Sequence, residues 1–438
     1  MKIQLLNHAS ITLELQDMKL LCDPWFSGGC FDDGWGLMYH NSEALHLAKQ
    51  CSHLWISHFH DDHFHLPTLR ELAIANPDII VLGNHSYNFQ LDNAVKRLGF
   101  KNVVPLFERK PLQLTTRIAV TRFPTTGIDN MLLVESDEGR ILNYNDCNVP
   151  LRTRQILAKK IGKIDVLLNN FNQSAKILDY PLPPSEKTKK ELIENFQATN
   201  DSFNPAWIIP FASYHYFKAE ASQAQNESLM DVSELQQTDP RIIPLRVGDV
   251  VEFGAASVPH VTESLVRIVK NELEIKEPGT AYSFDELVTA SKEYARKVNK
   301  AFLNMLWLPS LRIRIEDIDV NATFNIRRGL SRLTPTASRE ADWHVSAHSS
   351  SLHRWFNKPY GTDTFYVGAH FEIAKQGVKP FRWLLLFALM TENKVDLRSV
   401  LKMLLSKEGG KFLYNRREEI LPSIWQIFRG SRFDLENP

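Results

Sequence analysis

The stretch SHFHDDHFH, residues 57–65, places four histidines and two aspartates in nine positions. Imidazole and carboxylate bind borderline divalent ions such as zinc, iron or manganese, and a mixed set leaves coordination positions open to water. Along an extended segment residues two apart face the same side, so His58 and His60 can present two imidazoles to one ion. Asp62 and His63, on the turn that follows, can face a second ion. Two ions close together would share and acidify a water molecule, giving a nucleophile near neutral pH, with Asp62 doubling as ligand and proton acceptor. A lone His-x-His pair is commonly a surface accident, whereas His-x-His-x-Asp-His between a strand and a helix is far more specific. Asp61 and His65 fall out of phase and are expected in an outer shell or at the surface.

The flanks supply that context. HLWI (53–56) reads as a buried strand and LPTLRELA (66–73) as a helix. KIQLL, ITLEL and MKLLC read as strands, as do IIVLG (79–83), RIAVTRF (117–123), MLLVES (131–136), RILNYND (140–146), IDVLLNNF (164–171) and, last, WIIPFA (207–212). FQLDNAVKRLGF, RTRQILAKKIG (152–162) and SEKTKKELIENFQAT (185–199) read as helices between them. Meanders mixed with βα units predict an α/β fold of layered sheets covered by helices. From about residue 255 the texture changes, which predicts one unit over 1–255 and a C-terminal α+β extension over 256–438. There, RIRIEDIDVNATFNIRR (312–328) reads as a hairpin, 355–373 as a turn leading into a strand, and the tail from Pro380 as mainly helical.

Other residues could serve the cluster. Asp23, in the turn DPWFSGG, could accept the second ring proton of a metal-bound histidine, and His8 could join the same outer shell. For either, a structural hydrogen bond is an equally good reading. Trp25, with Phe26, Phe31 and Trp35, could line a pocket beside the paired glycines or pack as core aromatics. His344 and His348 are four apart, so a helix would put them on one face as a second metal site.

Composition excludes several classes. Lys and Arg number 51 against 51 Asp and Glu, so no global field favours nucleic acid or anionic membrane. The apolar run WLLLFALM (383–390) is far shorter than the ~20 residues of a membrane span. Cys22, Cys30, Cys51 and Cys147 have no CxxC spacing, which, without a recognisable leader, predicts a cytoplasmic protein with reduced thiols.

HFHDDH fits the HxHxDH signature, and the chain resembles the metallo-β-lactamase superfamily. The resemblance implies an αββα sandwich. It also implies that Asp146, ending the strand at NYNDCN, bridges two metals and that His215 in WIIPFASYHYF completes the second site. The bland alternatives are a helix N-cap for Asp146 and a packed aromatic-core histidine for His215. A third histidine usual in that superfamily is missing from RFPTTGIDN (122–130), where Thr125 or Asp129 could stand in, as could His85. LNHASITLEL, LLCDPWFSGGCFDDGWGLMYH, NYNDCNVP and IIPFASY further resemble the catalytic region of the CMP-N-acetylneuraminic acid hydroxylase family. That family carries a Rieske centre, which needs paired Cys-x-His and Cys-x-x-His motifs absent from this sequence.

These resemblances imply one or two divalent ions and a hydrolase whose metal-bound hydroxide attacks an ester, amide or phosphoester, the substrate being a small molecule such as a nucleotide-activated or surface-polysaccharide sugar. The alternatives are a non-haem di-iron oxygenase served by an external reductase, and a degenerate binding module. A homo-oligomer is compatible with either enzyme.

Overall fold

The computed structural model describes residues 1–392 except 17, 85–89, 126–128, 255–257, 265–267, 277–278, 298–309 and 334–342. Alternating side chains divide each N-terminal strand between two cores. In the strand Lys2–Asn7, Ile3 and Leu5 enter the core between two sheets, while Leu6 enters a second core under helices. The first sheet has eight strands, ordered His260–Thr262, Val250–Glu252, Lys2–Asn7, Ser10–Leu15, Met18–Cys22, His53–Trp55, Ile80–Asn84 and Asn102–Leu106. Pairing is antiparallel up to Met18–Cys22 and parallel from there on. The second sheet has six strands, ordered Trp207–Phe211, Val166–Asn170, Gly139–Asn145, Asn130–Ser136, Ile118–Pro124 and Leu112–Gln113. Here the first two pairings are parallel and the rest antiparallel.

The sheets stack face to face. Leu13 and Leu20 of the first share one core with Val120, Leu132, Val166 and Ile208 of the second. Helices Leu66–Ala75 and Gln90–Leu98 cover the outer face of the first sheet through Leu69, Leu72 and Val95. Helices Leu151–Ile161 and Ser185–Phe203 cover the second through Leu157, Ile161 and Phe203. The result is an αββα sandwich, as expected.

WIIPFA is not the last strand of this unit. His215–Phe217 pairs with Trp35–Leu37, Val250–Glu252 returns to pair with Lys2–Asn7, and His260–Thr262 extends the same sheet past residue 255. Strands of three residues carry too little alternation to stand out in a sequence.

A separate core joins the five-stranded sheet Gly329–Arg332, Val320–Asn325, Leu311–Ile315, Val345–Ala347 and Glu372–Ile373 to helices Phe284–Lys297, Ser349–Asn357, Gly361–Val367 and Val378–Glu392. The expected hairpin forms, turning between Ile315 and Val320. Residues 355–373 are mostly helix, with the strand only at Glu372–Ile373. Most of the tail expected to be helical lies outside the described residues. Among the described residues, no helix is long and apolar enough to cross a membrane. All four cysteines are free and buried.

Candidate metal centre

Parallel strands end side by side, and in open α/β sheets their C-terminal ends are where ligands gather. Here Met18–Cys22 delivers Asp23, His53–Trp55 delivers residues 57–65, and in the facing sheet Gly139–Asn145 delivers Asp146. The cluster segment is held at both ends. The Ser57 carbonyl accepts from Asn84 Nδ2 at 2.6 Å and from Asn130 Nδ2 at 2.7 Å. His65 caps the helix Leu66–Ala75, accepting from the Thr68 amide, and Asp61 accepts from the Phe31 amide at 3.1 Å. Both therefore act structurally, and His65 is buried, not at the surface.

The imidazoles are oriented from behind. His63 Nδ1 lies 3.0 Å from Asp23 Oδ2, and Asp23 is itself fixed by the Ser57 amide at 2.7 Å and by Asn145 Nδ2 at 2.9 Å. His58 Nδ1 lies 2.8 Å from Ser57 Oγ. In both rings Nε2 then faces inward. His63 Nε2 is 3.0 Å from Asp62 Oδ2 and 3.4 Å from Asp146 Oδ2. His58 Nε2 is 2.7 Å from His60 Nδ1, 3.7 Å from Asp129 Oδ1 and 3.9 Å from Asp146 Oδ2. Among the described residues three groups result, each with candidate ligand atoms within 4.8 Å of one another: His8, Asp62 and His63; His58, His63 and Asp146; and His58, His60 and Asp129.

These residues fit divalent ions. Asp62 Oδ1, Asp146 Oδ1 and His8 Nδ1 are buried without a hydrogen bond, and His63 Nε2 faces only the carboxylates of Asp62 and Asp146. Burying unpaired polar and charged atoms is costly unless something pairs with them. Donors ~2.0–2.1 Å from a tetrahedral ion stand about 3.3 Å apart, close to the spacings around His63.

The electrostatics agree. Burial opposes charge at His63, yet Asp62, Asp146 and Asp23 push its pKa well above the usual imidazole range. Asp62 and Asp146 are likewise buried, but His63 holds both below the usual carboxylate range. His58 is pushed well down by burial and by the neighbouring His63. Asp129 rises to about 7 through burial and the nearby Asp146. His60 rises to about 10, its burial outweighed by Asp363. So many acids in one buried place call for positive charge, which protons or cations can provide.

The remaining candidates divide. Asp129 joins His58 and His60 where a third histidine was missing, while the Thr125 hydroxyl donates to the Asp129 carbonyl at 3.1 Å and helps shape that turn. His85 lies outside the described residues. His8 comes closer than an outer-shell role required, with Nε2 3.1 Å from Asp62 Oδ2. His215 belongs to none of the three groups. It stacks on Trp35 at 3.8 Å and meets His8 edge-on at 5.1 Å, and burial followed by His8 pushes its pKa well down.

Trp25, Phe26, Phe31 and Trp35 do not line an open pocket, since all four are buried. Val367 and Ala369 of the C-terminal part share the core of Trp25, Phe31 and Trp35 and close it. Nor do His344 and His348 share a helix face, because Val345–Ala347 is a strand and His348 only precedes the helix that follows.

Sequence reading missed Ser57, Asn145 and Asp363. Ser57 directly precedes the motif and could have been suspected. Asp363, whose Oδ2 is 3.2 Å from His60 Nε2, sits in no motif that ties it to the cluster.

Comparison with known proteins fits this geometry. Residues 2–180 match the family model of the beta-lactamase superfamily domain. The chain is 28% identical over 298 residues to the inactive cytidine monophosphate-N-acetylneuraminic acid hydroxylase of Homo sapiens, covering 63% of this chain and 56% of that protein. It is 32% identical over 226 residues to the cytidine monophosphate-N-acetylneuraminic acid hydroxylase of Sus scrofa, covering 48% and 50%. The chain thus spans about half the length of these relatives. Among solved structures, CmlA, a diiron β-hydroxylase from Streptomyces venezuelae, is 18% identical with TM-score 0.40, covering 60% of this chain and 54% of that one. An isothiocyanate hydrolase from Delia radicum gut bacteria is 15% identical with TM-score 0.44, covering 58% and 100%. With its two stacked sheets and outer helices, the N-terminal part of this chain has the metallo-β-lactamase fold, and its residues 2–180 are similar to the beta-lactamase superfamily domain.

Proposed function

We propose that this domain is a metal-dependent hydrolase acting on an ester, amide or phosphoester of a small, sugar-derived substrate. The observation that carries this reading is the convergence of buried, unpartnered carboxylate oxygens of Asp62 and Asp146 on His63, beside His58, His60 and Asp129. His58, His60 and Asp129 would hold one divalent ion, and Asp62, His63 and His8 a second, with Asp146 between them. Bound ions would supply Lewis acidity and an acidified water. The chain's own residues do the rest. Asp23 and Ser57 fix the His63 and His58 rings, and the buried aromatics around Trp35 exclude water from behind. Asp62 can take up a proton, and Asp129 and His60, about one-fifth exposed, form the side open to a substrate.

His215 enters the reading as a neighbour that supports His8. The division into a metal-binding part, whose sheet runs on to His260–Thr262, and a C-terminal extension, a cytoplasmic location and self-association belong to the same proposal.

A second reading is a non-haem di-iron oxygenase with an external electron donor. It draws on the carboxylate Asp129 in place of a third histidine and on the hydroxylase relatives. One preparation tests both. Protein from cells grown without added zinc is analysed for metals, spectra, and turnover of ester, lactone and phosphodiester substrates. Bound zinc or manganese with chelator-sensitive hydrolysis is expected. Iron with a visible band that bleaches on reduction would transfer the assignment to the oxygenase. Unchanged metal content in both His58→Ala and Asp62→Ala would remove either reading.

A further inference from the structure

We propose that Asp363, contributed by the C-terminal part, is a positioning residue of the metal centre. It fixes His60 so that Nδ1, and not Nε2, faces the ion. The inference rests on the metal-centre reading above and extends it to a residue three hundred positions away in sequence.

The argument starts from the two nitrogens of His60. Nδ1 lies 2.7 Å from the inward-facing His58 Nε2, on the side where Asp129 completes a three-residue group. Nε2 points the other way, 3.2 Å from Asp363 Oδ2. A histidine that ligates through one ring nitrogen must hold its other N–H in a hydrogen bond, or both tautomer and ring angle drift. Asp23 does this for His63 and Ser57 for His58, both from within the sandwich. Asp363 is the matching partner for His60.

Its placement is built, not incidental. Asp363 sits in the first turn of the helix Gly361–Val367. Thr362, beside it, donates its amide to the Glu392 carboxylate at 3.0 Å and accepts from Trp355 Nε1 at 2.8 Å. The far end of the helix is pinned to the sandwich. Trp35 Nε1 donates to the Val367 carbonyl at 2.9 Å, and His370 Nε2 donates to the Phe31 carbonyl at 2.7 Å. Gly34 fits against Gly368 so closely that a Cβ would stand 2.5 Å from its carbonyl oxygen. Arg354 and Lys276 both pair with Asp32 on the same loop. A helix locked at both ends presents its carboxylate at a fixed height over His60.

The test uses the full chain carrying Asp363→Asn and Asp363→Leu. Asparagine keeps an acceptor for the Nε2 proton, whereas leucine keeps the volume and loses the acceptor. Each chelated protein is titrated with zinc against a chromophoric competitor, and its metal-free melting temperature is recorded. The leucine variant should bind one of two ions about ten- to a hundredfold more weakly, with the second ion unaffected and asparagine recovering most of the loss. Leucine binding both ions like wild type would overturn the proposal. So would losses that follow the metal-free melting temperature instead of the acceptor. Wild type binding no ion would overturn the underlying reading with it, which separates the two failures.

Discussion

Two segments of this chain are rich in histidine, and the structure uses them in opposite ways. Residues 57–65 run off the end of a parallel strand, and their rings converge with acids from both sheets, leaving one oxygen each of Asp62 and Asp146 unpartnered. The segment around His344, His348 and His353 disperses its rings. His344 Nε2 lies 2.9 Å from Arg312 Nη2, His348 Nε2 lies 3.5 Å from Glu316, and His353 stacks on Tyr282 at 3.7 Å. Both concentrate histidine, four in nine positions over 57–65 and three in ten over 344–353, but only the first carries aspartates of its own. The difference lies in whether several strand ends aim at one point and whether carboxylates arrive there from elsewhere.

The sharpest way to break this comparison is to remove the acids that converge. Asp146→Ala and Asp62→Ala should weaken metal binding by more than about a hundredfold, beyond what loss of an outer partner costs, and abolish turnover. His344→Ala and His348→Ala should leave metal content as in wild type. Elemental analysis of the four purified variants decides it, and equal metal loss in both sets would erase the distinction.

Next is the substituted position. Asp129→Ala should weaken one ion about a hundredfold, and Asp129→His should restore it, since imidazole suits the same ions. A histidine variant no better than alanine would mean that Asp129 contributes no ligand. Behind the ligands, Asp23→Ala should cost about ten- to a hundredfold in metal affinity, because His63 loses the acceptor at its Nδ1.

A smaller effect concerns the junction. Burial, with Lys276 and Arg354 nearby, pushes the His370 pKa down to about 3, against the favourable pull of the Phe31 carbonyl. The folded value lies below the unfolded one, about 6.5. As pH falls between those values the unfolded chain takes up a proton that the native one does not, so stability is lost on acidification. In chelated protein, wild type should therefore lose stability faster than His370→Asn, by about 1.4 kcal/mol per pH unit between pH 6 and 4. Parallel urea-unfolding curves for the two proteins would contradict this. Smallest of all, His353→Ala should cost about 0.5–1.5 kcal/mol of stability through its lost stack on Tyr282, with metal binding untouched.

Much of the sandwich was legible because its strands are half or fully buried. KIQLL and MLLVES alternate or run apolar, and each falls within about a residue of the strands Lys2–Asn7 and Asn130–Ser136. The motif itself was legible since its candidate ligands are sequential neighbours. Less visible were the short returns Val250–Glu252 and His260–Thr262, which are strands only because an open sheet edge awaits them. Residues 355–373 misled in the other direction, reading as a turn leading into a strand where Trp355 and Phe365 stack between helices.

Sequence by itself determined the ligand types, the strand–turn–helix frame around residues 57–65, and the presence of an acid at position 146. Those are local properties, set by side-chain chemistry and by periodicity along the chain. Only the tertiary structure decided that Asp129 closes the first group, that His215 stacks on Trp35 outside all three groups, and that Asp363 reaches His60 from the C-terminal part. Such pairings depend on where two sheets and a distant helix come to rest, and that position is fixed by packing among residues far apart in the chain.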